Sequence, residues 1–334
     1  MTATLDGLIL DLFAGPGGWS HALRLLVLAD VGVELDPAAC ATRRAAGHTT
    51  VRADVASLPV ARLAGKLKGL IASPPCQGMS RGGSHAGWAD LEAIASLMID
   101  LSLGRDTRAA HAAQVADPRS LLIAEPLRYA LAAMPEWVAC EQVPAVLPLW
   151  RETARHLQAV GYSAWCGILN AADYGVPQTR KRAFLIASRT RCVHAPAPTH
   201  AQTPDAPDAL LFGAPREPWV TMADALGWGA TDRPAPTVTA GGGKTGGAEP
   251  FPTQARAALK RSQASGSWTS HTGPGRDPGT VRIDLAEAAA LQTFPADYPW
   301  QGTKTKAFEQ IGNAVPPRLA AAALAVATGT GAGA

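Results

Sequence analysis

A cysteine behind two prolines, in Ser73-Pro74-Pro75-Cys76-Gln77, is the point of this chain best suited to nucleophilic chemistry. The prolines stiffen the backbone, and the thiol follows directly on a short apolar run, Leu70–Ala72, that reads as a strand. A thiolate adds readily to an electron-poor carbon. A buried filler cysteine would not need so rigid an approach. Two further groups suit the same chemistry. Glu141, in Cys140-Glu141-Gln142-Val143, sits near the end of another apolar run. There it can share a proton with a ring that has gained negative charge, provided partial burial raises its pKa. In Gln178-Thr179-Arg180-Lys181-Arg182, strand alternation puts Arg180 and Arg182 on one face. Their guanidinium groups can hold a base oxygen, a phosphate or Glu141.

A second set of residues suits a nucleoside cofactor. Asp11-Leu12-Phe13-Ala14-Gly15-Pro16-Gly17-Gly18 places glycines at a strand-to-helix turn, where backbone approaches a ligand closely. The spacing matches neither GxGxxG nor GxxxxGK[ST], which argues against dinucleotides and nucleoside triphosphates. Glu34 ends the next strand and can accept from ribose hydroxyls; Asp54 follows the third and can accept from an adenine amine. Either acid alone reads equally as a helix cap. Together with the turn they point to an adenosine-containing cofactor. Given such a cofactor, the thiol becomes decisive. Carbon 5 of cytosine is a poor nucleophile until something adds at carbon 6, and a thiolate does that.

The elements that must position these residues follow from periodicity. Leu8–Leu12, Val31–Leu35, Thr50–Val55, Leu70–Ala72 and Trp137–Val143 read as strands. One helix opens at Gly17-Gly18 and runs through Leu28; another begins near Pro37. Strands alternating with helices predict a doubly wound, mostly parallel α/β sheet. Tyr162–Leu169 and Arg182–Ser188, with only a loop between them, predict an antiparallel hairpin at its end. Residues 189–283 hold 12 of the 27 prolines and 12 of the 33 glycines, a composition for a small, loop-rich domain. From Asp284, a capped helix Leu285–Gln292 and another from Pro316-Pro317 to about Ala327 return. The expected organisation is a cofactor-binding domain of residues 1–188 plus 284–334, and a second domain of residues 189–283.

Composition excludes several classes. With 47% hydrophobic and 17% charged residues over 334 positions, the chain reads as globular. Its apolar runs fall short of the ~20 residues needed to span a bilayer, and its start does not read as a secretory signal. A cytoplasmic protein is the expectation. Five scattered cysteines make neither a disulfide framework nor a zinc site, so no metal is expected. The net charge of +3 is small, and residues 189–283, with ten Lys/Arg against seven Asp/Glu, carry the whole excess.

These sites, in this order, resemble the cytosine-C5 DNA methyltransferase family, and the match covers most of the chain. The resemblance implies a Rossmann-like methyltransferase fold and S-adenosyl-L-methionine as cofactor. It also implies double-stranded DNA as substrate, with the target cytosine rotated out of the duplex. Phe13, Gly15, Gly18, Glu34, Asp54, Val55, Pro75 and Asn313 of Gly312-Asn313 look like the cofactor-binding set. Cys76 looks like the nucleophile, with Glu141, Arg180 and Arg182 as further catalytic groups. Gln178 belongs to the Gln-x-Arg-x-Arg motif, and Arg233-Pro234-Ala235-Pro236-Thr237-Val238 resembles the motif flanking a target-recognition domain. Expected DNA contacts are Gln178, Arg81 in a glycine-rich loop, and Lys244, Lys260 and Arg261. Gln142 stands where the family has asparagine, Ser73 where glycine is usual, and Met79 where phenylalanine is common. A monomer is expected, with a restriction endonuclease as a candidate partner and a bacterium or phage as source. Two alternatives stay open: the same chemistry on RNA cytosine, and a catalytically silent DNA-binding homologue. The tRNA-directed branch usually carries a Cys-Phe-Thr signature that this sequence lacks.

Overall fold

The computed structural model describes residues 7–75, 90–204, 215–226, 233–239 and 283–330. The elements begin β1 (Leu8–Leu12), α1 (Gly18–Leu25), β2 (Val31–Glu34), α2 (Pro37–Ala45), β3 (Thr49–Arg52) and β4 (Leu67–Ala72). Then come α3 (Leu91–Ser102), α4 (Arg108–Ala112), α5 (Glu125–Ala133), β5 (Trp137–Gln142), α6 (Leu147–Ala159) and β6 (Ser163–Asn170). After β7 (Gln178–Thr179) and β8 (Lys181–Ser188) follow three two-residue strands and a short helix, β9 (His200–Ala201), β10 (Glu217–Pro218), α7 (Met222–Leu226) and β11 (Ala235–Pro236). The described chain closes with α8 (Leu285–Leu291), α9 (Lys304–Asn313) and α10 (Pro317–Thr328).

Seven strands form one sheet in the order β3-β2-β1-β4-β5-β8-β6. The pairs from β3 through β5 are parallel, whereas β8 runs antiparallel to β5, with β6 outside it as the edge strand. This is the expected α/β sheet with an antiparallel segment at one end. Its central strands are apolar on both faces because helices cover both. Leu70, Ile71, Leu185 and Ile186 are wholly buried, as are Leu127 and Trp150 from the flanking helices. The strand order reverses between β1 and β4, the position at which such sheets bind ligands.

The chain divides into two compact units. Met1–Leu169, Lys181–Pro196 and Ala320–Ala334 form the first, which holds the sheet; Asn170–Arg180 and Ala197–Leu319 form the second.

Several boundaries shift from the sequence reading for local reasons. The third strand stops at Arg52, because the Asp54 carboxylate accepts from Ala56 N–H and starts a 3-10 turn, Val55–Ser57. Helix α1 stops at Leu25, and Val27 lies in the left-handed region at φ 58°. Helix α8 opens with a reciprocal capping box between Asp284 and Glu287. Among the described residues, no helix is long and apolar enough to cross a membrane, and no group of three or more metal-ligating side chains occurs.

Candidate active site

The site in the first unit is built where β1, β2, β4 and β5 end. Beyond Leu12 the chain turns sharply: Phe13, Gly15 and Gly17 have φ of 58°, 53° and 107°. Glycine takes such angles freely, but Phe13 holds its angle against a steric cost. The turn is tied to β2 by Ala14 N–H donating to the Val33 carbonyl at 3.1 Å and by Gly15 N–H donating to Glu34 Oε2 at 2.8 Å. Glu34 Oε1 accepts from the N–H groups of Leu35 and Asp36, each at 2.7 Å. A carboxylate offers about four acceptor positions, so Glu34 keeps one to spare. Gly18 opens α1 and is buried.

Two neighbours of this turn were not singled out from the sequence. Leu35, directly after Glu34, is 60% exposed, an uncovered apolar surface beside the carboxylate. Its signal was an apolar residue just past a strand end. Arg43 of α2 is wholly buried beneath the turn, donating to the Ala14 carbonyl at 3.3 Å and to Asp30 Oδ2 at 3.0 Å, and lying 3.6 Å from Asp11 Oδ2. Burial pushes the Asp11 carboxyl well above the usual carboxylate range. Asp54 and Val55 follow β3: Val55 is buried, and one Asp54 oxygen accepts from Ala56 while the other makes no hydrogen bond among the described residues.

The Pro-Pro turn lies directly beside the glycine turn. In the parallel pairing of β1 with β4, Leu12 stands opposite Ala72, and Ser73 N–H donates to the Leu12 carbonyl at 3.2 Å. The Ser73 hydroxyl accepts from the Trp19 indole at 2.9 Å, a use for the side chain that glycine would lack. Ala72 stands opposite Cys140 in β5, so Glu141 falls level with the start of the Pro-Pro turn. Glu141 is buried, and its Oε1 pairs with Arg182 Nε at 3.1 Å across the antiparallel β5–β8 ladder. Gln142 reaches back to the turn, its amide donating to the Pro74 carbonyl while its oxygen accepts from Val143 N–H. Pro75 is the last described residue of the turn, and Cys76 lies outside the described residues, as do Arg81, Lys244, Lys260 and Arg261.

Burial raises the thiol pKa of three further cysteines, Cys140 and Cys166 in the sheet and Cys40 in α2. Cys140 is buried and pushed far up, and Cys166 is pushed up to about 12.

The second unit holds the remaining motif residues. Gln178 is fully buried: its amide donates to the Leu291 carbonyl and Gln292 Oε1 at 3.1 and 3.2 Å, and its oxygen accepts from Val238 N–H at 2.8 Å. Arg180 is buried and donates to the carbonyls of Val238 and Gly312 at 3.1 and 2.9 Å. The strand breaks at Arg180, between β7 and β8, so the expected alternation with Arg182 does not run through and the two guanidiniums serve different partners. Strand β11, inside the Arg233–Val238 motif, pairs in parallel with β7. Asn313 ends α9 and is exposed.

The sheet order and the two adjoining turns define a methyltransferase-type α/β fold, and comparison with solved structures agrees. Dnmt2 methyltransferase of S. pombe superposes with a TM-score of 0.62 at 15% identity, covering 97% of this chain and 99% of that one. The Entamoeba histolytica methyltransferase EhMeth gives 0.60 at 13% identity over 97% and 98%. The family model for C-5 cytosine-specific DNA methylase matches residues 8–102, 108–218 and 228–327. The chain belongs to this family and is an enzyme of it. Among similar proteins, the Type II methyltransferase M1.HphI of Haemophilus parahaemolyticus is 26% identical over 94% of this chain and 84% of its own length. The Type II methyltransferase M.NlaX of Neisseria lactamica is 29% identical over 92% and 91%.

Proposed function

We propose that the chain transfers a methyl group from S-adenosyl-L-methionine to carbon 5 of cytosine in double-stranded DNA, through a transient bond between Cys76 and carbon 6 of a base rotated out of the helix. One observation carries the reading: β1, β4 and β5 are in register, so the glycine turn, the Pro74-Pro75 turn leading to Cys76, and the Glu141–Arg182 pair end side by side. The spare acceptor position on Glu34, the unbonded Asp54 oxygen and the exposed face of Leu35 suit an adenosine, with Glu34 toward the ribose and Asp54 and Val55 toward the adenine. When bound, the cofactor supplies an electrophilic methyl group.

The protein's own part is to make carbon 5 nucleophilic. The Cys76 thiolate gives its electron pair to carbon 6, and the ring's displaced pair gathers toward carbon 5 and N3. Glu141, held by Arg182, bonds the N3 and 4-amino edge and stabilises that charge. After methylation a base, for which water suffices, removes the carbon 5 proton, and the electrons left behind expel Cys76 as thiolate. Arg180 and Gln178 fix the segments at Val238 and Gly312 within the second unit, with Arg180 donating to both carbonyls and Gln178 accepting from Val238 N–H. Residues 189–283 form the target-recognition part, with Lys244, Lys260 and Arg261 and the loop residue Arg81 toward DNA phosphates, so binding weakens with salt. The protein acts as a monomer in the cytoplasm, with a restriction endonuclease of the same specificity as its candidate partner.

Labelled methyl incorporation decides the substrate. Transfer to duplex DNA supports this reading, transfer to tRNA alone moves the chemistry to RNA, and transfer to neither marks a silent homologue. Bisulfite sequencing of DNA from expressing cells then reads the target sequence.

A further inference from the structure

The 3-10 turn that follows Asp54 is short, and its own bonds, from Ala56 N–H to the Asp54 carboxylate and from the Ser57 hydroxyl to the Asp54 carbonyl, are supplemented from outside. It spans three residues, Val55–Ser57, and closes with the backbone bond from Ser57 N–H to the Asp54 carbonyl at 3.1 Å. Three side chains from α4 and α5 grip it from outside. Arg108 Nη1 donates to the Ala56 carbonyl at 2.7 Å. Arg128 Nη2 and the Tyr129 hydroxyl both donate to the Val55 carbonyl, at 3.2 and 2.7 Å. Burial pushes the Tyr129 hydroxyl up to about 12, so it remains a donor.

The two arginines are themselves tied together. Glu125, 2% exposed, places Oε1 2.9 Å from Arg108 Nη1 and Oε2 2.7 Å from Arg128 Nε. Asp106 takes the other edge of Arg108 through two bonds, at 2.8 and 2.7 Å. Asp106 lies in residues 103–107, which the family match skips. The alternation Asp106–Arg108–Glu125–Arg128 is thus a chain of paired charges from which one donor of each arginine ends on a carbonyl of the turn after Asp54. Paired and planar, these guanidiniums lose little freedom on binding and set direction as well as distance.

We propose that Arg108 and Arg128, bridged by Glu125, are positioning residues that aim the Asp54 carboxylate and so set the enzyme's preference for adenine at the cofactor's base. This rests on the reading of Asp54 as the acceptor of the adenine amine. Releasing either guanidinium lets the turn swing, and the carboxylate loses its fixed bearing on the amine while the ribose and methionine contacts stay.

The probes are S-adenosylhomocysteine and S-inosylhomocysteine, which differ in replacing the 6-amino group with a carbonyl, with affinities measured by calorimetry. The wild type should prefer the adenosyl compound by about tenfold, the worth of one hydrogen bond. Asp54→Ala should abolish the preference; if it does not, the reading of Asp54 fails. With that arm behaving, Arg108→Gln and Arg128→Gln should cut the preference to about threefold or less, raise KM for the cofactor, and leave kcat and KM for DNA near wild type. Full preference in both variants would overturn the positioning role while leaving Asp54 in place. A fall in kcat and melting temperature with an unchanged preference would also overturn it, since that is what a merely structural pair does. Should either glutamine variant fail to fold, Arg128→Lys keeps the charge beside Glu125 and reads the same ratio.

Discussion

The side-chain amide of Gln142 donates to the carbonyl oxygen of Pro74, joining the end of β5 to the turn that leads into Cys76. Gln142 is buried, so the bond is sheltered from water. Asparagine, usual for the family at this place, is one methylene shorter. Gln142→Ala should lower kcat by about tenfold, roughly the value of a buried hydrogen bond, with cofactor affinity near wild type. Gln142→Asn should not restore it, because the amide falls short of Pro74. Single-turnover rates at saturating DNA and cofactor check this; a wild-type rate in Gln142→Ala would contradict it.

Glu141 and Arg182 separate chemistry from stability. Glu141→Gln keeps the shape but loses the charge and the proton shuttle, and should reduce kcat by about 10²–10⁴-fold with the fold intact. Arg182→Ala removes the Nε ion pair from a buried carboxylate and should destabilise by about 3 kcal/mol. Denaturant unfolding of both variants, beside their turnover numbers, tests the pair.

Gly32 makes room for a buried charge. A Cβ there would stand 2.0 Å from Arg43 Nη2. Gly32→Ala must therefore push the guanidinium off Asp30 and off the Ala14 carbonyl. A loss of about 3–5 kcal/mol is expected, together with weaker cofactor binding because Ala14 belongs to the glycine turn. Urea titration and calorimetry would show the two effects together; a stable variant with normal cofactor affinity would refute the coupling.

His48 makes the fold sensitive to acid. Burial, with Arg24, Arg43 and His21 nearby, lowers its pKa from 6.5 to about 3. The native state therefore holds fewer protons than the unfolded chain between those values. This contribution is complete above pH 6.5 and is lost as pH falls toward 3. His48→Asn should flatten the fall in melting temperature between about pH 6.5 and 4; parallel curves for the two proteins would contradict the assignment.

The residues at strand ends were legible in the sequence for a physical reason. Glu34, Pro75 and Glu141 each stand at or just past a short apolar run, as the end of a strand in a covered sheet does, whereas Asp54 follows Thr49–Arg52, a largely exposed edge strand. Strand limits were less legible where a side chain intervenes, as at Asp54, whose carboxylate starts a turn two residues after β3 ends. Alternation misled at Arg180, where the strand breaks and the guanidinium turns to Val238 and Gly312. Arg43 was invisible because an arginine on a helix reads as solvated until the glycine facing it is known. Arg108 meets Ala56 across 52 residues, and no spacing rule spans that distance.

Covalent trapping addresses the reaction itself. DNA made with 5-fluorocytosine in place of cytosine, incubated with the protein and S-adenosylmethionine, cannot release the enzyme, because fluorine replaces the proton that must leave carbon 5. The expected result is a protein–DNA adduct that survives denaturing electrophoresis for the wild type and is absent for Cys76→Ala. An adduct of equal yield in Cys76→Ala would show that another group makes the bond.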